Sequence, residues 1–261
     1  MPVDNSIYDG DGDIWWDESS PLNSLRTAVN PGRVGYLKTV VERAGLRSGS
    51  KALDVGCGGG LMAEEVAGLG FDVVGVDPSA PSIATARAHA EASGLRIEYR
   101  QASGEALPFA DGAFDLAYCC DVIEHVANPD LLIAESARVL RPGGVYVFDT
   151  INRTLPSQVV MIKLFQDWRP TRFMPRNLHD WRKFIKPSEL LPLLERHGLR
   201  NKEIVGLSPS AAPPKLIGLL RAIHRGDITP GEMGRRSPFR VTQNRSILYA
   251  GYAVKEATAP H

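Results

Sequence analysis

Two groups of residues in this chain are of types that do chemistry. The first is Leu53-Asp54-Val55-Gly56-Cys57-Gly58-Gly59-Gly60, followed at helical spacing by Leu61-Met62-Ala63-Glu64-Glu65-Val66-Ala67. A strand that runs through a glycine turn into a helix gathers backbone N–H groups and the positive end of a helix dipole at one point. Glycine lets the backbone turn tightly and a ligand come close. Asp77 ends the next apolar run, Phe71–Val76, where an acid can accept hydrogen bonds from ribose hydroxyls. Two ligand classes fit, a dinucleotide and S-adenosylmethionine. The dinucleotide fingerprint G-x-G-x-x-G lacks its last glycine, because Leu61 stands there. Asp54, ahead of the loop, could instead hold a cationic amino group. The second group is Asp121, Glu124 and His125. Their i, i+3, i+4 spacing would put all three on one face of a helical turn. Two carboxylates and an imidazole could bind a divalent cation such as Mg2+. They could equally supply a base, a carboxylate raising the proton affinity of a neighbouring His, or merely hold the loop.

Elements that could position these groups alternate along the chain. Lys51–Val55, Phe71–Val76, Ile97–Gln101, Phe114–Cys120 and Val145–Thr150 read as strands, with helices over Leu61–Leu69, Ser79–Ser93 and after Asn128-Pro129. Such alternation predicts a parallel sheet with helices on both faces, and a ligand beyond the carboxyl ends of the strands. Arg33–Ala44 and Pro187–Arg196 read as further helices, and Lys202–Leu207 and Arg245–Val254 as later strands. The expected fold is α/β, Rossmann-like and doubly wound, with a seven-stranded, mostly parallel sheet and an inserted lid. The divisions are an N-terminal arm and helix (1–50), a cofactor core (51–151), the lid (152–186), the C-terminal part of the sheet (187–256) and a tail (257–261). Residues 208–240, rich in Pro, Gly and Arg, give no clear reading.

Bulk properties exclude several classes. Thirty Lys plus Arg balance thirty Asp plus Glu, without the basic excess of a nucleic-acid binder. No apolar run is long enough to span a bilayer, and Met1-Pro2-Val3-Asp4-Asn5 does not read as a signal peptide. Cys57, Cys119 and Cys120 form neither a disulfide framework nor a zinc spacing, so a cytoplasmic setting is the default.

Taken together, the glycine loop, Val76-Asp77, Ala106-Leu107-Pro108-Phe109, Phe114-Asp115-Leu116 and Leu140-Arg141-Pro142-Gly143-Gly144 resemble the class I S-adenosylmethionine-dependent methyltransferases. Trp15-Trp16-Asp17, Asn30-Pro31 with Arg33 and Tyr36, Asp121–Val126, Thr150–Thr154 and His179–Pro187 are similar to one branch, the ubiquinone-biosynthesis O-methyltransferases. That resemblance, from about residue 8 to 207, implies O-methylation of a phenolic or catechol hydroxyl, with S-adenosylhomocysteine as the other product. It implies a cofactor site of Arg33, Asp54, Gly56, Cys57, Gly58, Asp77, Pro78, Ser103, Gly104, Glu105 and Cys120. Asp121, Glu124 and His125 become the catalytic and metal-binding set, and Trp16, His179 and Trp181 face the acceptor. The apolar segment Ser157–Phe165 matches one tied to lipid or prenyl-tail contact, so peripheral membrane contact through 157–176 is a further expectation.

The chain departs from that branch in two places. Asp121 stands where the family has Glu, and Ser208–Arg240 does not follow the family pattern. The acceptor therefore stays open between a prenylated quinone precursor and another phenolic metabolite, including a natural-product intermediate. Two other readings remain: a membrane-peripheral accessory protein that keeps the cofactor fold, and an NAD-dependent oxidoreductase. Oligomeric state is not legible.

Overall fold

The structure is a computed structural model describing residue 8 and residues 14–257. The stretch Met1–Asn5 and all but the first residue of the 257–261 tail lie outside the described residues. After a short π-helical turn, Leu25–Val29, comes α1 (Asn30–Ala44), closed by Gly45 in the left-handed conformation. Next come β1 (Lys51–Val55), α2 (Leu61–Gly68), β2 (Asp72–Asp77), α3 (Ala80–Ala92), β3 (Glu98–Gln101), β4 (Phe114–Cys120), α4 (Pro129–Val139) and β5 (Leu140–Ile151). Helices α3 and α4 begin where Ser79 and Asn128 accept backbone N–H groups of the first turn, with a proline just inside each start.

The chain then leaves the sheet. A single turn, α5 (Leu155–Ser157), is capped by Thr154 and runs into a π-helical stretch, Gln158–Asp167. The sheet resumes after α6 (Pro187–Arg196) with β6 (Leu199–Pro209). The stretch without a clear reading holds α7 (Pro213–Arg225), α8 (Pro230–Arg236) and the short strand β7 (Phe239–Thr242). Strand β8 (Leu248–Lys255) ends the fold.

These strands form one eight-stranded sheet in the order β3-β2-β1-β4-β5-β8-β6-β7. The first five are parallel; β8, β6 and β7 join through antiparallel pairings. The strand beyond the expected seven is β7, paired with β6 at the edge.

Strand periodicity explains why helices cover both faces. Leu116, Tyr118, Val145 and Val147 point into one core with Leu37, Val40, Met62 and Val66 from α1 and α2. Their neighbours Ala117, Cys119, Tyr146 and Phe148 point into the other, with Leu132, Ile133, Leu190 and Leu194 from α4 and α6. Alternate residues facing two dry layers is what a buried parallel sheet requires. Among the described residues no helix is long and apolar enough to cross a membrane.

Candidate active site

Strand order reverses between β1 and β4, and beyond their carboxyl ends lies a cavity of about 570 Å³. It is lined by the β1–α2 turn (Asp54, Gly56, Cys57), the end of β2 (Asp77, Pro78), the loop Ser103-Gly104-Glu105, and Cys120, Asp121 and His125 after β4. Arg33 of α1, Tyr8 and Trp15 also line it.

Asp54 is buried, and its Oδ2 is sealed without a hydrogen-bond partner. Burial pushes this carboxyl up to about 8, with Asp77 adding to the rise and Arg33 opposing it. The Tyr118 hydroxyl beside it opposes that rise, and a cation brought to the carboxyl would favour its ionised form. Asp77 accepts from the backbone N–H of Gly58 (3.0 Å) and of Ser79 (2.9 Å), tying the glycine turn to the end of β2.

The glycines serve the protein as well as a ligand. Gly58 has φ +51°, and a Cβ there or at Gly59 would run into the indole of Trp15. A Cβ on Gly56 (φ +78°) would strike Val122. Read from sequence, the turn keeps space for a ligand; at these three positions the nearest occupant is a side chain of the chain itself.

The Asp121 segment is not a helical turn. Asp121 has φ +54°, a left-handed conformation that Asp tolerates better than most residues, and the chain then turns tightly through Ile123–His125. The three side chains part accordingly. Asp121 pairs with Arg33, whose guanidinium also grips buried Asp149 through Nε (2.9 Å) and Nη2 (2.8 Å). Glu124 is buried; its Oε2 accepts from the Thr150 hydroxyl (2.8 Å) and its Oε1 is sealed without a partner. Burial, reinforced by Asp121, raises the Glu124 pKa. Only Asp121 and His125 of the three line the cavity. Among the described residues no three His, Cys, Asp or Glu side chains are grouped to hold a metal ion. The expected metal set of Asp121, Glu124 and His125 is therefore not assembled here: one carboxylate is committed to Arg33 and another to Thr150.

His125 is pushed down to about 4 by burial, against the opposing pull of Asp121, so it is neutral near pH 7. Its ring lies 5.2 Å from that of His179, itself pushed down to about 3 by burial. Gln166, buried on the π-helical stretch, accepts from the His179 backbone N–H (2.8 Å) and donates to its carbonyl (3.1 Å).

A family profile described as a methyltransferase domain matches residues 53–148. The ubiquinone biosynthesis O-methyltransferase of Roseobacter denitrificans is 42% identical over 194 residues, covering 71% of this chain and 77% of the relative. That of Azorhizobium caulinodans is 36% identical over 214 residues, covering 79% and 83%. The chain belongs to the ubiquinone-biosynthesis O-methyltransferase family. Solved structures support the fold alone. An S-adenosylmethionine-dependent methyltransferase from Aquifex aeolicus matches with TM-score 0.54 at 15% identity, over 85% of this chain and 97% of the other. A [4+2]-cyclase, SpnF, matches with TM-score 0.58 at 22% identity, over 86% and 81%. Family membership makes the chain an S-adenosylmethionine-dependent methyltransferase, and the oxidoreductase reading falls.

In this methyltransferase the expected cofactor residues are brought to one cavity, except Gly58, which sits beneath Trp15 and donates to Asp77. The orphaned Asp54 oxygen and the acid at the end of β2 fit a ligand carrying both an ammonium group and ribose hydroxyls. Arg33 lines the cavity, yet its donors go to Asp149, Asp121 and Asn30 (3.2 Å), leaving one Nη1 hydrogen uncommitted by these contacts. Trp16 lines no part of this cavity. It covers the outside of the glycine turn, donates to Gly59 O (2.9 Å), stacks on His89 and lies under Arg26. His179 and Trp181 line a neighbouring cavity of about 440 Å³ with Gln158, Asn177 and Asp180. Trp181 donates to Thr154 O (2.9 Å).

Sequence reading missed Tyr8 and Lys183, which line the main cavity, and Asp149, which holds Arg33. An isolated Tyr in a polar arm and an Asp inside an apolar strand carry no spacing signal. Lys183 was visible only as one basic residue among several in the His179–Pro187 stretch.

Proposed function

We propose that this enzyme methylates a phenolic or catechol hydroxyl of a quinone precursor or a related small metabolite. The observation that carries the reading is that His125, kept neutral by burial, and Asp121, paired with Arg33, open into the same cavity as Asp54 and Asp77. The names of the relatives support the acceptor class. Asp54 receives the cofactor's ammonium group, Asp77 its ribose, and the loop Ser103–Glu105 its adenine. When bound, S-adenosylmethionine supplies an electrophilic methyl group on a sulfonium. The chain must hold the acceptor oxygen in line with that methyl and remove its proton. His125, kept neutral by burial, accepts the proton, and Asp121 favours the imidazolium that results. Glu124, fastened to Thr150, holds the turn in place beneath them. No step is routed through a metal ion, because the Asp121 and Glu124 carboxylates are held by Arg33 and Thr150.

The test is a methyl-transfer screen across catechols, other phenols and prenylated quinone precursors, with and without EDTA. Turnover of a phenol that survives EDTA is expected. Transfer only to nitrogen or carbon acceptors would sink the acceptor assignment, and rescue of an EDTA-treated enzyme by a divalent cation would restore the metal reading.

One surface supports peripheral membrane contact as well. Leu155, Val159 and Trp168 are 72%, 51% and 56% exposed, beside exposed Lys163, Arg169, Arg172 and Arg176. Apolar residues flanked by cations suit an anionic bilayer surface. Cosedimentation with anionic against neutral vesicles tests it; equal recovery with both would remove it.

A further inference from the structure

Tyr8 lines the same cavity as Asp77, Asp121 and His125. Its ring stacks on Trp15 (centroids 5.6 Å, planes 14° apart) and meets His125 edge-on at 5.9 Å. Its carbonyl accepts from the hydroxyls of Ser79 and Ser82, each at 2.8 Å. Trp15 is fixed to the same point, its Nε1 donating to Ser82 Oγ at 3.1 Å. Two serines at the start of α3 thus hold the backbone of Tyr8 while Trp15 supports one face of its ring. The result is an aromatic side chain set against the proposed base, inside the cavity that holds Asp77 and Asp121.

We propose that Tyr8 is the specificity-determining residue for a vicinal diol, its hydroxyl donating a hydrogen bond to the acceptor oxygen next to the one that is methylated. The proposal rests on the phenol O-methylation reading. Two features make the donor role chemically suitable. Burial and the neighbouring carboxylates Asp121, Glu124 and Asp77 all disfavour a tyrosinate, so the hydroxyl stays protonated and can always donate. A catechol that loses one proton to His125 keeps an oxygen beside the nucleophile, and an unpaired oxygen buried there would oppose binding. A monophenol has no such oxygen and gains nothing from the contact. Sites that hydrogen-bond a substrate hydroxyl discriminate through the group left unpaired.

The experiment compares wild-type enzyme with Tyr8→Phe and Tyr8→Ala on a catechol and its matching monophenol. It reads kcat and KM, and S-adenosylhomocysteine affinity by calorimetry. One neutral hydrogen bond contributes about 0.5–1.5 kcal/mol. Tyr8→Phe should therefore lower the catechol-to-monophenol ratio of kcat/KM by roughly 3- to 10-fold, mainly through the catechol KM. Tyr8→Ala should lose more on both acceptors by removing the aromatic wall. An unchanged ratio in Tyr8→Phe overturns the proposal. So does a loss mirrored in S-adenosylhomocysteine affinity, which would make Tyr8 a cover for the cofactor. A wild-type enzyme that binds S-adenosylhomocysteine but methylates no phenol removes the underlying reading, and the proposal with it.

Discussion

Replacing Asp54 by Asn should pull stability and cofactor binding in opposite directions. In the unfolded chain an Asp titrates near 3.8; in the folded apoprotein burial holds Asp54 at about 8. Between those values the folded state keeps a proton that the unfolded state has lost. Stability therefore falls as pH rises from about 4 to about 8 and levels off above. Each unit corresponds to about 1.36 kcal/mol, so full ionisation of Asp54 opposes folding by on the order of 5 kcal/mol. Asn is never charged. Urea denaturation should find Asp54→Asn and wild type similar near pH 4, and the variant the more stable by several kcal/mol at pH 9. Binding should run the other way. The ligand's ammonium group ionises Asp54, and the resulting charge-assisted bond contributes about 1.5–3 kcal/mol. Asp54→Asn should weaken S-adenosylhomocysteine roughly 10- to 150-fold. Calorimetry of the wild type at pH 7 in buffers of different ionisation enthalpy should show close to one proton released on binding. That release should vanish above pH 9 and be absent from the variant. Wild-type affinity in Asp54→Asn, or no proton released at pH 7, would refute the assignment of Asp54 to the ammonium group.

Four further substitutions test the same geometry. His125→Ala should lower kcat by 10²-fold or more, as expected for loss of a general base, and Glu124→Ala, which loosens the turn that carries His125, should lower it by less; S-adenosylhomocysteine affinity, read by calorimetry, should survive in both. His179 binds a proton near 6.5 when unfolded and only near 3 when folded, so wild type should lose about 3 kcal/mol relative to His179→Phe between pH 6.5 and 4, as urea titrations at each pH would show. Arg33→Ala strands two acids, buried Asp149 and its neighbour Asp121, and should cost about 3–5 kcal/mol in urea denaturation.

What could be read in the chain was what neighbours in sequence decide together. The turn from Asp54 to Gly60 is strand, glycine and helix in unbroken order, and Asp77 ends the next strand, so the elements that wall the cavity were visible as a pattern. The strand Phe114–Cys120 and the helix Pro187–Arg196 have the same bounds in structure as in sequence, because a short, nearly continuous apolar run in one and a proline start in the other leave little choice. The Asp121 segment misled because i, i+3, i+4 spacing predicts a helical face only if the backbone is helical. One left-handed residue, at Asp121 itself, cancels it. Stretch 208–240 failed for a different reason: proline and glycine punctuate it throughout, with Pro213-Pro214 and Gly218 falling inside α7 itself, so the composition reads as loop although a helix of 13 residues lies within it.

The remainder was hidden because it is made by pairs far apart in the chain. Arg33 and Asp149 are 116 residues apart, and each alone has an ordinary explanation. Asp149 fixes Arg33, and Arg33 draws the Asp121 carboxylate to itself, while Glu124 is held by Thr150. Trp15 has a similar effect on the glycine turn. With its indole laid over Gly58 and Gly59, the arm becomes part of the cofactor wall, and Tyr8 is carried to the edge of His125. One long-range ion pair and one long-range aromatic contact thus shape the cavity around Asp121 and His125. A substitution at Trp15 should for that reason disturb acceptor selectivity as well as cofactor affinity, whereas a change at Trp16, on the outer side of the same turn, should reach the acceptor only through the cofactor.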